Sequence, residues 1–294
     1  MNWQVENEEK SIKKLLNLAR KKLKENDIGT FNLDAEIILA HVLNKSRSYL
    51  YAHDDIELSA EEIEDFNKLL NDRLKRIPIA HLLGKKEFRG LEFKVNNKVL
   101  IPRPETEFLV ESSIEILNAK QKENFILEIC AGSGAVIISI LKECEKDQAI
   151  ALDISEDALK IARENAEMHS VSSRLKFFQG DLFEPLNKNK INNKFDLIAI
   201  NPPYIKTDDI GFLEEEVRYE PHIALDGGID GLSFYKRILQ EASSYLQKEG
   251  FLVFEIGFGQ TGEICDFAES AGFNIVKVIK DYSGIERVLI FSLK

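Results

Sequence analysis

The chain has 294 residues, of which 44% are hydrophobic and 30% charged, and this balance indicates a folded protein of about two domains. Acidic residues number 50 and basic residues 39, so the net charge of −11 argues against a protein that binds mainly nucleic-acid phosphates. No segment approaches the roughly 18 consecutive apolar residues of a membrane helix, and residues 1–6 contain no apolar signal-peptide core. We therefore expect a cytoplasmic protein without membrane binding or direct nucleic-acid binding.

Residues 1–84 are predicted to form a small helical domain. Apolar residues from Ile12 to Leu23 recur at helical spacing, and the apolar run Leu33–Leu43 predicts a second helix inside a bundle. Ser59-Ala60-Glu61-Glu62 has the pattern of a capping box, so a third helix is expected to begin there and to end at Pro78. No group of polar residues in this domain has the pattern of an active site.

A change of period then predicts strands. Apolar and polar residues alternate from Phe88 to Val95, ahead of Asn96-Asn97, which predicts a β-hairpin linker within residues 85–104. From residue 105 to 294 apolar runs alternate with helical segments, which predicts an α/β fold with a parallel sheet covered on both faces. Only Lys280 to Glu286 joins the last two runs, so this pair is expected to be antiparallel. The predicted strands cover residues 125–130, 148–152, 174–178, 195–200, 251–256, 273–279 and 287–292.

The first predicted strand of this sheet runs into Ala131-Gly132-Ser133-Gly134 and then into an apolar helix. Glycines at such a turn let a ligand approach the backbone, and the N-terminus of the following helix offers free N–H groups. A dinucleotide-binding loop has a third glycine where this chain has Ile137, so NAD and FAD are disfavoured.

Three acidic residues are expected near this loop, at the carboxyl ends of successive strands. A carboxylate at Asp153 can accept both hydroxyls of a ribose. Asp181 and the neighbouring Leu182 can hold an adenine ring, and Glu128 can meet an ammonium group. Each acid alone is more often a surface or capping residue, but the three together are the pattern for a nucleoside that carries an amino acid. The cysteines and histidines lack metal-ligand spacing, so no metal site is predicted.

The fourth predicted strand delivers Asn201-Pro202-Pro203-Tyr204 to the same edge of the sheet. A planar amide or aryl amine nitrogen is a poor nucleophile because its lone pair is delocalised. The carboxamide oxygen of Asn201 and the carbonyl of Pro202 can accept the two N–H hydrogens of such a group and stabilise positive charge on it. The prolines remove N–H donors, and Tyr204 can pack against the planar acceptor. In isolation the motif is equally consistent with a proline turn, but its place beside the predicted pocket favours methyl transfer.

These motifs resemble the HemK/PrmC family of peptide chain release factor glutamine N5-methyltransferases along nearly the whole chain. The resemblance implies a Rossmann-like class I methyltransferase domain with a seven-stranded sheet and an antiparallel C-terminal hairpin. It implies S-adenosylmethionine as cofactor, S-adenosylhomocysteine as product, and a helical domain that helps recognise a release factor, whose Gly-Gly-Gln loop enters the pocket. The matching segments are Leu83–Phe88, Ile101–Glu107, the glycine loop, Asn201–Tyr204, Tyr219–Pro221, Ala224–Gly228, Glu255–Gly257 and Ser283–Arg287.

The motifs and the resemblance together assign roles to particular residues. Asn201, Pro202 and Tyr204 are expected to be catalytic, and Pro203 is expected to join them in binding the acceptor glutamine. Two cofactor positions depart from the family pattern, because Cys130 stands where a glycine is typical and Leu182 where an aromatic residue is common. The residues expected to contact the cofactor are Glu128, Cys130, Ala131, Gly132, Ser133, Gly134, Asp153, Asp181, Leu182 and Asn201.

Three other functions stay open on the sequence. An adenine N6-methyltransferase of DNA or RNA shares the motif Asn201–Tyr204, but it must flip its base and bind phosphates, which this acidic chain does not favour. A glutamine methyltransferase of a ribosomal protein would use the same chemistry on a different partner. A protein that only binds S-adenosylmethionine would leave Asn201–Tyr204 without a role. The expectation is therefore a monomeric enzyme whose partner is a release factor.

Overall fold

The computed structural model describes residues 10–120 and 122–294. Residues 1–6, for which the sequence predicts no signal-peptide core, lie outside these ranges. The chain forms two compact units: one holds the residues up to Gly84 together with Glu215–Tyr219, and the other holds Lys85–Glu214 and Glu220–Lys294. None of the helices in the described ranges is both long and apolar enough to cross a membrane.

The first unit is helical, as predicted. Its apolar residues meet in one core in which Leu15, Leu39 and Phe66 are fully buried. The apolar stripe of the first helix and the largely apolar second helix both contribute to this core, which is the packing that their spacing predicts. The helices of this unit are α1 (Ile12–Glu25), α2 (Phe31–Val42), α3 (Arg47–Ala52), α4 (Ala60–Leu74) and α5 (Ile79–Leu83).

Helix α4 begins at the predicted capping box. The Ser59 Oγ accepts from the Glu62 N–H at 3.3 Å, and the Glu62 Oε2 accepts from the Ser59 N–H at 2.7 Å. The prediction that this helix continues to Pro78 is wrong, because α4 ends at Leu74. Arg76 adopts a left-handed φ of 70°, which no continuing helix allows. Pro78 instead precedes α5, where a missing N–H removes no helical hydrogen bond.

A buried charged cluster lies inside the helical unit. Arg73 on α4 donates from Nε to Asp34 on α2 at 2.7 Å and from Nη2 to Glu216 at 2.9 Å. The side chains of Asp34 and Arg73 are each only 5% exposed. The Thr30 hydroxyl also donates to Asp34, at 2.7 Å. Spacing along the chain does not predict which charged residues of different helices will meet, so the sequence offered no sign of this cluster.

The second unit begins with the predicted hairpin, in which β1 (Lys85–Phe88) pairs antiparallel with β2 (Leu91–Lys94). A seven-stranded sheet follows, and helices cover both of its faces. The helices are α6 (Glu107–Ala119), α7 (Ala135–Glu143), α8 (Glu156–Met168), α9 (Glu184–Lys188), α10 (Ser233–Ala242) and α11 (Thr261–Ser270). The strands are β3 (Phe125–Ile129), β4 (Gln148–Asp153), β5 (Leu175–Gln179), β6 (Phe195–Ile200), β7 (Leu246–Glu255), β8 (Phe273–Lys280) and β9 (Glu286–Leu293).

The strand order is β5-β4-β3-β6-β7-β9-β8. Strands β3 to β7 are parallel to one another, and the final pair is antiparallel, as predicted. The insertion of β9 between β7 and β8 was not predicted. The burial of the two strands explains this order. The middle of β9 is buried, whereas most of β8 is exposed, as is usual for a strand at the edge of a sheet.

The parallel direction of β3 to β7 brings their carboxyl ends to one edge of the sheet. Two apolar cores, one including Ile137 and the other including Phe254, hold the sheet between its helical layers. Ligands of open α/β sheets bind at the carboxyl edge. The predicted site segments that follow β3, β4, β5 and β6 therefore share one edge.

Candidate active site

The glycine loop after β3 contains three residues with positive φ. The angles are 62° at Cys130, 55° at Gly132 and 78° at Gly134. A Cβ on Gly134 would lie 2.9 Å from Cδ1 of Ile138, whereas a Cβ on Gly132 would meet no atom within 4 Å. Gly132 therefore borders open space. A left-handed φ costs a residue with a side chain about 1–2 kcal/mol. This cost explains why the family typically has a glycine at the position of Cys130.

Asp153 closes this loop from the end of β4. Its Oδ2 accepts from the Gly132 N–H at 2.8 Å, and its Oδ1 accepts from the Ser155 N–H at 2.9 Å. Burial raises the pKa of Asp153, and the N–H groups of Ser155 and Gly132 oppose that rise. Each carboxylate oxygen has a second lone pair. Asp153 can therefore accept two further hydrogen bonds from a ligand.

A cavity of about 190 Å³ opens at this edge of the sheet. Its unpredicted lining residues include Pro221 and Ala224, which lie in segments that carry the family resemblance, so a sequence signal existed for them. Phe234 and Arg237 on α10 also line it, and no local pattern marks them. The predicted site residues in its wall are Cys130, Gly132, Asp153, Asp181, Leu182, Asn201 and Pro203. The predicted site residues outside its wall are Glu128, Ala131, Ser133, Gly134, Pro202 and Tyr204.

Asp181 and Leu182 form the wall of the cavity that follows β5. Asp181 pairs with Arg237 at 2.5 Å, with both side chains nearly half exposed, and its second oxygen can accept from a ligand. Leu182 is 4% exposed and has a positive φ of 48°. It gives the cavity an apolar side, without the ring stacking that an aromatic residue would provide.

Glu128 lies in β3, behind the cavity wall. Burial is the main cause that raises its pKa well above the ordinary value. Its Oε2 is buried and has no hydrogen-bond partner among the described residues. An unpartnered acid oxygen beside the glycine loop fits a cationic group of a ligand, since burying an unpaired polar atom is otherwise unfavourable.

The Asn201–Tyr204 segment follows β6 directly. Asn201 lines the cavity, and its Nδ2 donates to the Thr106 Oγ1 at 3.3 Å. Pro202 and Pro203 are buried, and Tyr204 is partly buried. Burial and then the charge of Glu255 raise the pKa of Tyr204 well above its ordinary value, so its hydroxyl stays protonated. Engagement of Nδ2 by Thr106 directs the carboxamide oxygen of Asn201 away from Thr106.

Neighbouring loops hold this segment by close backbone contacts. The Gly227 N–H donates to the carbonyl of Ile205 at 2.7 Å. Gln260 donates from Nε2 to the carbonyls of Tyr204 at 3.0 Å and Gly231 at 3.2 Å. A Cβ on Gly227 would lie 2.7 Å from the Tyr204 Cα, and one on Gly231 would lie 2.6 Å from the Tyr204 carbonyl oxygen. Gly227 and Gly231 therefore lie closer to the backbone of Tyr204 than a residue with a side chain could.

Substitution Gly227→Ala is expected to displace the segment Asn201–Tyr204 and to lower kcat by about 100-fold, the loss that a misplacement of about 1 Å can cause. The new methyl group would meet backbone atoms of Pro203 and Tyr204, which cannot rotate away. The matched control is Gly262→Ala, where a Cβ would meet no atom within 4 Å. Steady-state kinetics of both variants test this, and equal activity would show that the close contact does not set the geometry.

Glu255 ends β7 and lies beside this segment. It is 1% exposed, and its Oε2 has no hydrogen-bond partner among residues 10–120 and 122–294. Burial raises its pKa to about 7, while the nearby hydroxyl of Thr106 opposes the rise, the charge of Glu105 adds to it, and the charges of Arg287 and Arg103 oppose it. A buried acid that titrates near neutrality is typical of functional sites.

The raised pKa of Glu255 predicts a pH-dependent gain in stability for Glu255→Gln. The unfolded acid ionises near 4.5 and the folded acid near 7, so ionisation destabilises the fold increasingly between these values and constantly above them. The stability of the variant relative to wild type should therefore rise by on the order of 3 kcal/mol from pH 4.5 to pH 8.

Urea unfolding across this pH range measures the difference. Glu249→Gln, which changes an exposed acid on the same strand, is the control and should show no such rise. A flat difference for Glu255→Gln would contradict the raised pKa.

Segments that are distant in sequence and that carry the family resemblance meet at this edge. The Ile101 N–H donates to Glu220 at 2.9 Å, and Arg103 also donates to Glu220. The Ile256 N–H donates to the carbonyl of Arg287 at 2.9 Å. These hydrogen bonds join four of the resemblance segments in two pairs.

Comparison with known proteins finds related families and chains. Residues 14–84 match the PrmC N-terminal domain, and residues 120–261 match a methyltransferase domain. The release factor glutamine methyltransferase of Thermodesulfovibrio yellowstonii is 40% identical over 268 residues, which cover 89% of this chain and 92% of that protein. The bifunctional methyltransferase of Rickettsia typhi is 39% identical over 297 residues, covering 95% of this chain and 57% of that longer protein.

A solved methyltransferase structure from Pyrococcus furiosus has a similar fold. It is 20% identical, with a TM-score of 0.53, over 75% of this chain and 97% of that chain. This similarity supports the α/β class I methyltransferase fold predicted from the alternating strands and helices. The identity and coverage shared with the curated relative decide the family: the chain belongs to the release factor glutamine methyltransferases.

Proposed function

We propose that the chain transfers the methyl group of S-adenosylmethionine to the side-chain amide nitrogen of the glutamine in the Gly-Gly-Gln loop of a release factor. The observation that carries this proposal is the position of Asn201, at the cavity wall with Nδ2 engaged by Thr106. A carboxamide oxygen held in this way is an acceptor for a planar –NH2 group. Relatives that bear the release factor name and cover nearly the whole chain support the choice of substrate.

The residues around the cavity fit the cofactor. When bound, S-adenosylmethionine supplies a methyl group activated by a sulfonium. We propose that Asp153 accepts the ribose hydroxyls, that Asp181 and Leu182 hold the adenine, and that the unpartnered oxygen of Glu128 attracts the ammonium. The open space beside Gly132 lets the cofactor approach the loop. Ala131, Ser133 and Gly134 would then act by shaping the loop, since they lie outside the cavity wall and, unlike Glu128, have no unpartnered acid oxygen.

We propose that the acceptor amide is held by Asn201 and Pro202. The Asn201 Oδ1 and the Pro202 carbonyl accept the two amide hydrogens, which orients the nitrogen lone pair and stabilises the charge that develops on it. Pro202 and Pro203 have no N–H to repel the acceptor, and Tyr204 packs against its plane. The extra proton on the methylated nitrogen is acidic and leaves to solvent after transfer, so these residues need no strong base.

The proposal also covers where in the cell the chain acts and how many copies of it the reaction needs. A release factor works on the ribosome, so the chain is proposed to act in the cytoplasm. One chain supplies every residue named above, so the chemistry requires no second copy.

The test is incubation of the purified chain with labelled S-adenosylmethionine and, in separate reactions, a release factor, ribosomal proteins and DNA. Mass spectrometry of the acceptor should find one methyl group on the glutamine of the Gly-Gly-Gln loop. A release factor whose loop glutamine is replaced by alanine is the control and should remain unlabelled. Label on DNA or on a ribosomal protein, with none on the release factor, would replace this proposal by one of the two alternatives.

A further inference from the structure

We propose that Ile229, Phe258 and Tyr282 form an apolar surface that docks the release factor beside the site that receives its glutamine. The release factor would cover this turn-tip surface with apolar side chains flanked by basic residues. The inference rests on the proposed function and adds to it a surface that binds the substrate outside the reacting glutamine.

The three residues occupy the same position in three tight turns, which comprise residues 228–231, 257–260 and 281–284. In each turn the N–H of the fourth residue donates to the carbonyl of the first, at 3.1, 3.4 and 2.9 Å respectively. Ile229, Phe258 and Tyr282 each come second in their turn and are 90%, 81% and 96% exposed. Turns favour small and polar residues. A single exposed apolar side chain is common, but three at equivalent turn positions indicate an interaction surface.

Two of these turns are held against Tyr204. The Gln260 side chain donates from Nε2 to the carbonyls of Tyr204 at 3.0 Å and Gly231 at 3.2 Å. Its Oε1 accepts from the Gly257 N–H at 2.9 Å. A Cβ on Gly257 would lie 3.0 Å from Cδ2 of Tyr204. The apolar tips of both turns therefore flank the residue that is proposed to pack against the acceptor amide.

The third turn is joined to the second by two hydrogen bonds. The Oδ2 of Asp281, the first residue of the third turn, accepts from the Arg287 Nε at 2.9 Å. The carbonyl of Arg287 accepts from the Ile256 N–H at 2.9 Å, and Ile256 directly precedes the second turn. All three tips therefore lie at the carboxyl edge of the sheet, on turns that hydrogen bonds hold in place. Such a surface loses little conformational freedom when it binds a partner.

The charges beside Tyr282 indicate the chemistry of the partner. Tyr282 borders a groove of about 220 Å³, and its ring lies 5.2 Å from that of Phe108. Among the described residues that line the groove, every charged one is acidic, namely Glu105, Glu107, Glu111 and Asp281. Arg89 and Arg287 pair with two of these acids, so the groove keeps a negative charge. An apolar surface with an acidic side fits a protein with apolar and basic residues and repels phosphates.

The test replaces the three tips together in the variant Ile229→Ser, Phe258→Ser, Tyr282→Ser. None of these side chains belongs to either apolar core of the sheet, so the variant should fold as the wild type does. A release factor whose loop glutamine is replaced by alanine serves as the ligand in a calorimetric titration. Its Kd should rise by about 100-fold in the variant. For methylation of the unaltered release factor, KM should rise by a similar factor, with kcat and cofactor affinity unchanged.

The matched control is Met168→Ser, which removes an apolar side chain that is 43% exposed. Met168 ends α8, which runs from β4 back to the start of β5, so it lies at the opposite edge of the sheet. This variant should keep the wild-type Kd and KM. The affinity of the wild type should weaken as salt is raised, because salt screens the attraction between acidic and basic groups.

An unchanged Kd and KM in the triple variant would overturn the turn-tip surface and leave the proposed function standing. A lower kcat with an unchanged KM would also overturn it, because the tips would then serve the reaction instead of docking. Affinity that is independent of salt would contradict a basic partner. Wild-type protein that binds the release factor without methylating it would overturn the proposed function, while the titration would still decide the turn-tip surface.

Discussion

Substitution Asn201→Ala is expected to lower kcat for release factor methylation by at least about 100-fold, the loss that follows removal of one group that stabilises developing charge. The acceptor amide would lose one of its two proposed acceptors and would no longer be held in line with the methyl donor. Cofactor affinity should change little, because the cavity wall formed by Gly132, Asp153 and Leu182 is unaltered. Single-turnover kinetics and a separate cofactor-binding titration measure these two effects.

The control for this prediction is Asn193→Ala, which removes an asparagine from an exposed loop and should leave both quantities unchanged. A kcat of wild-type size in Asn201→Ala would remove Asn201 from the chemistry. A large loss of cofactor affinity would instead assign its main role to cofactor binding.

The strands of the sheet could be predicted because each is buried and is therefore a run of apolar residues, and helical segments separate most of these runs. The alternation also predicts that these strands are parallel, but it does not give their order across the sheet. The place of β9 between β7 and β8 could not be predicted in this way, because it depends on which of the last two strands can tolerate an exposed edge. The end of α4 was also missed, because the left-handed turn at Arg76 precedes the proline that normally marks a stop.

The site was predictable where residues follow a strand directly. Asp153, Asp181 and Asn201 each come after a buried strand, and the parallel sheet brings them to one edge. Thr106 and Glu255 lie in segments that carry the family resemblance, but the resemblance gives them no role, because the contact of Thr106 with Asn201 and the burial of Glu255 become visible only in the folded chain. Gly227 is similar: only the folded chain shows that its missing Cβ leaves room for the backbone of Tyr204.

Substitution Arg73→Met should destabilise the helical unit by about 3–5 kcal/mol, the usual cost of removing one partner from a buried ion pair. Of the hydrogen bonds found among the described residues, Asp34, whose side chain is 5% exposed, would keep the one from the hydroxyl of Thr30. Glu216 would suffer less, because it is 23% exposed and retains Arg76 at 3.3 Å. Most of the loss of stability is therefore expected at the contact between α2 and α4. Hydrogen exchange of the backbone amides in these two helices measures it directly.

Two further variants separate lost charge pairing from lost packing. Arg218→Met changes a 45% exposed arginine whose acidic partner lies 3.9 Å away, and it should shift stability by no more than about 0.5 kcal/mol. The double substitution Asp34→Leu with Arg73→Met removes both buried charges and should be more stable than Arg73→Met alone, because no unpaired carboxylate remains in the core. Protection in α2 and α4 should follow the same order. If the double variant is no more stable than Arg73→Met, the loss comes from packing around the arginine stem rather than from the stranded charge of Asp34.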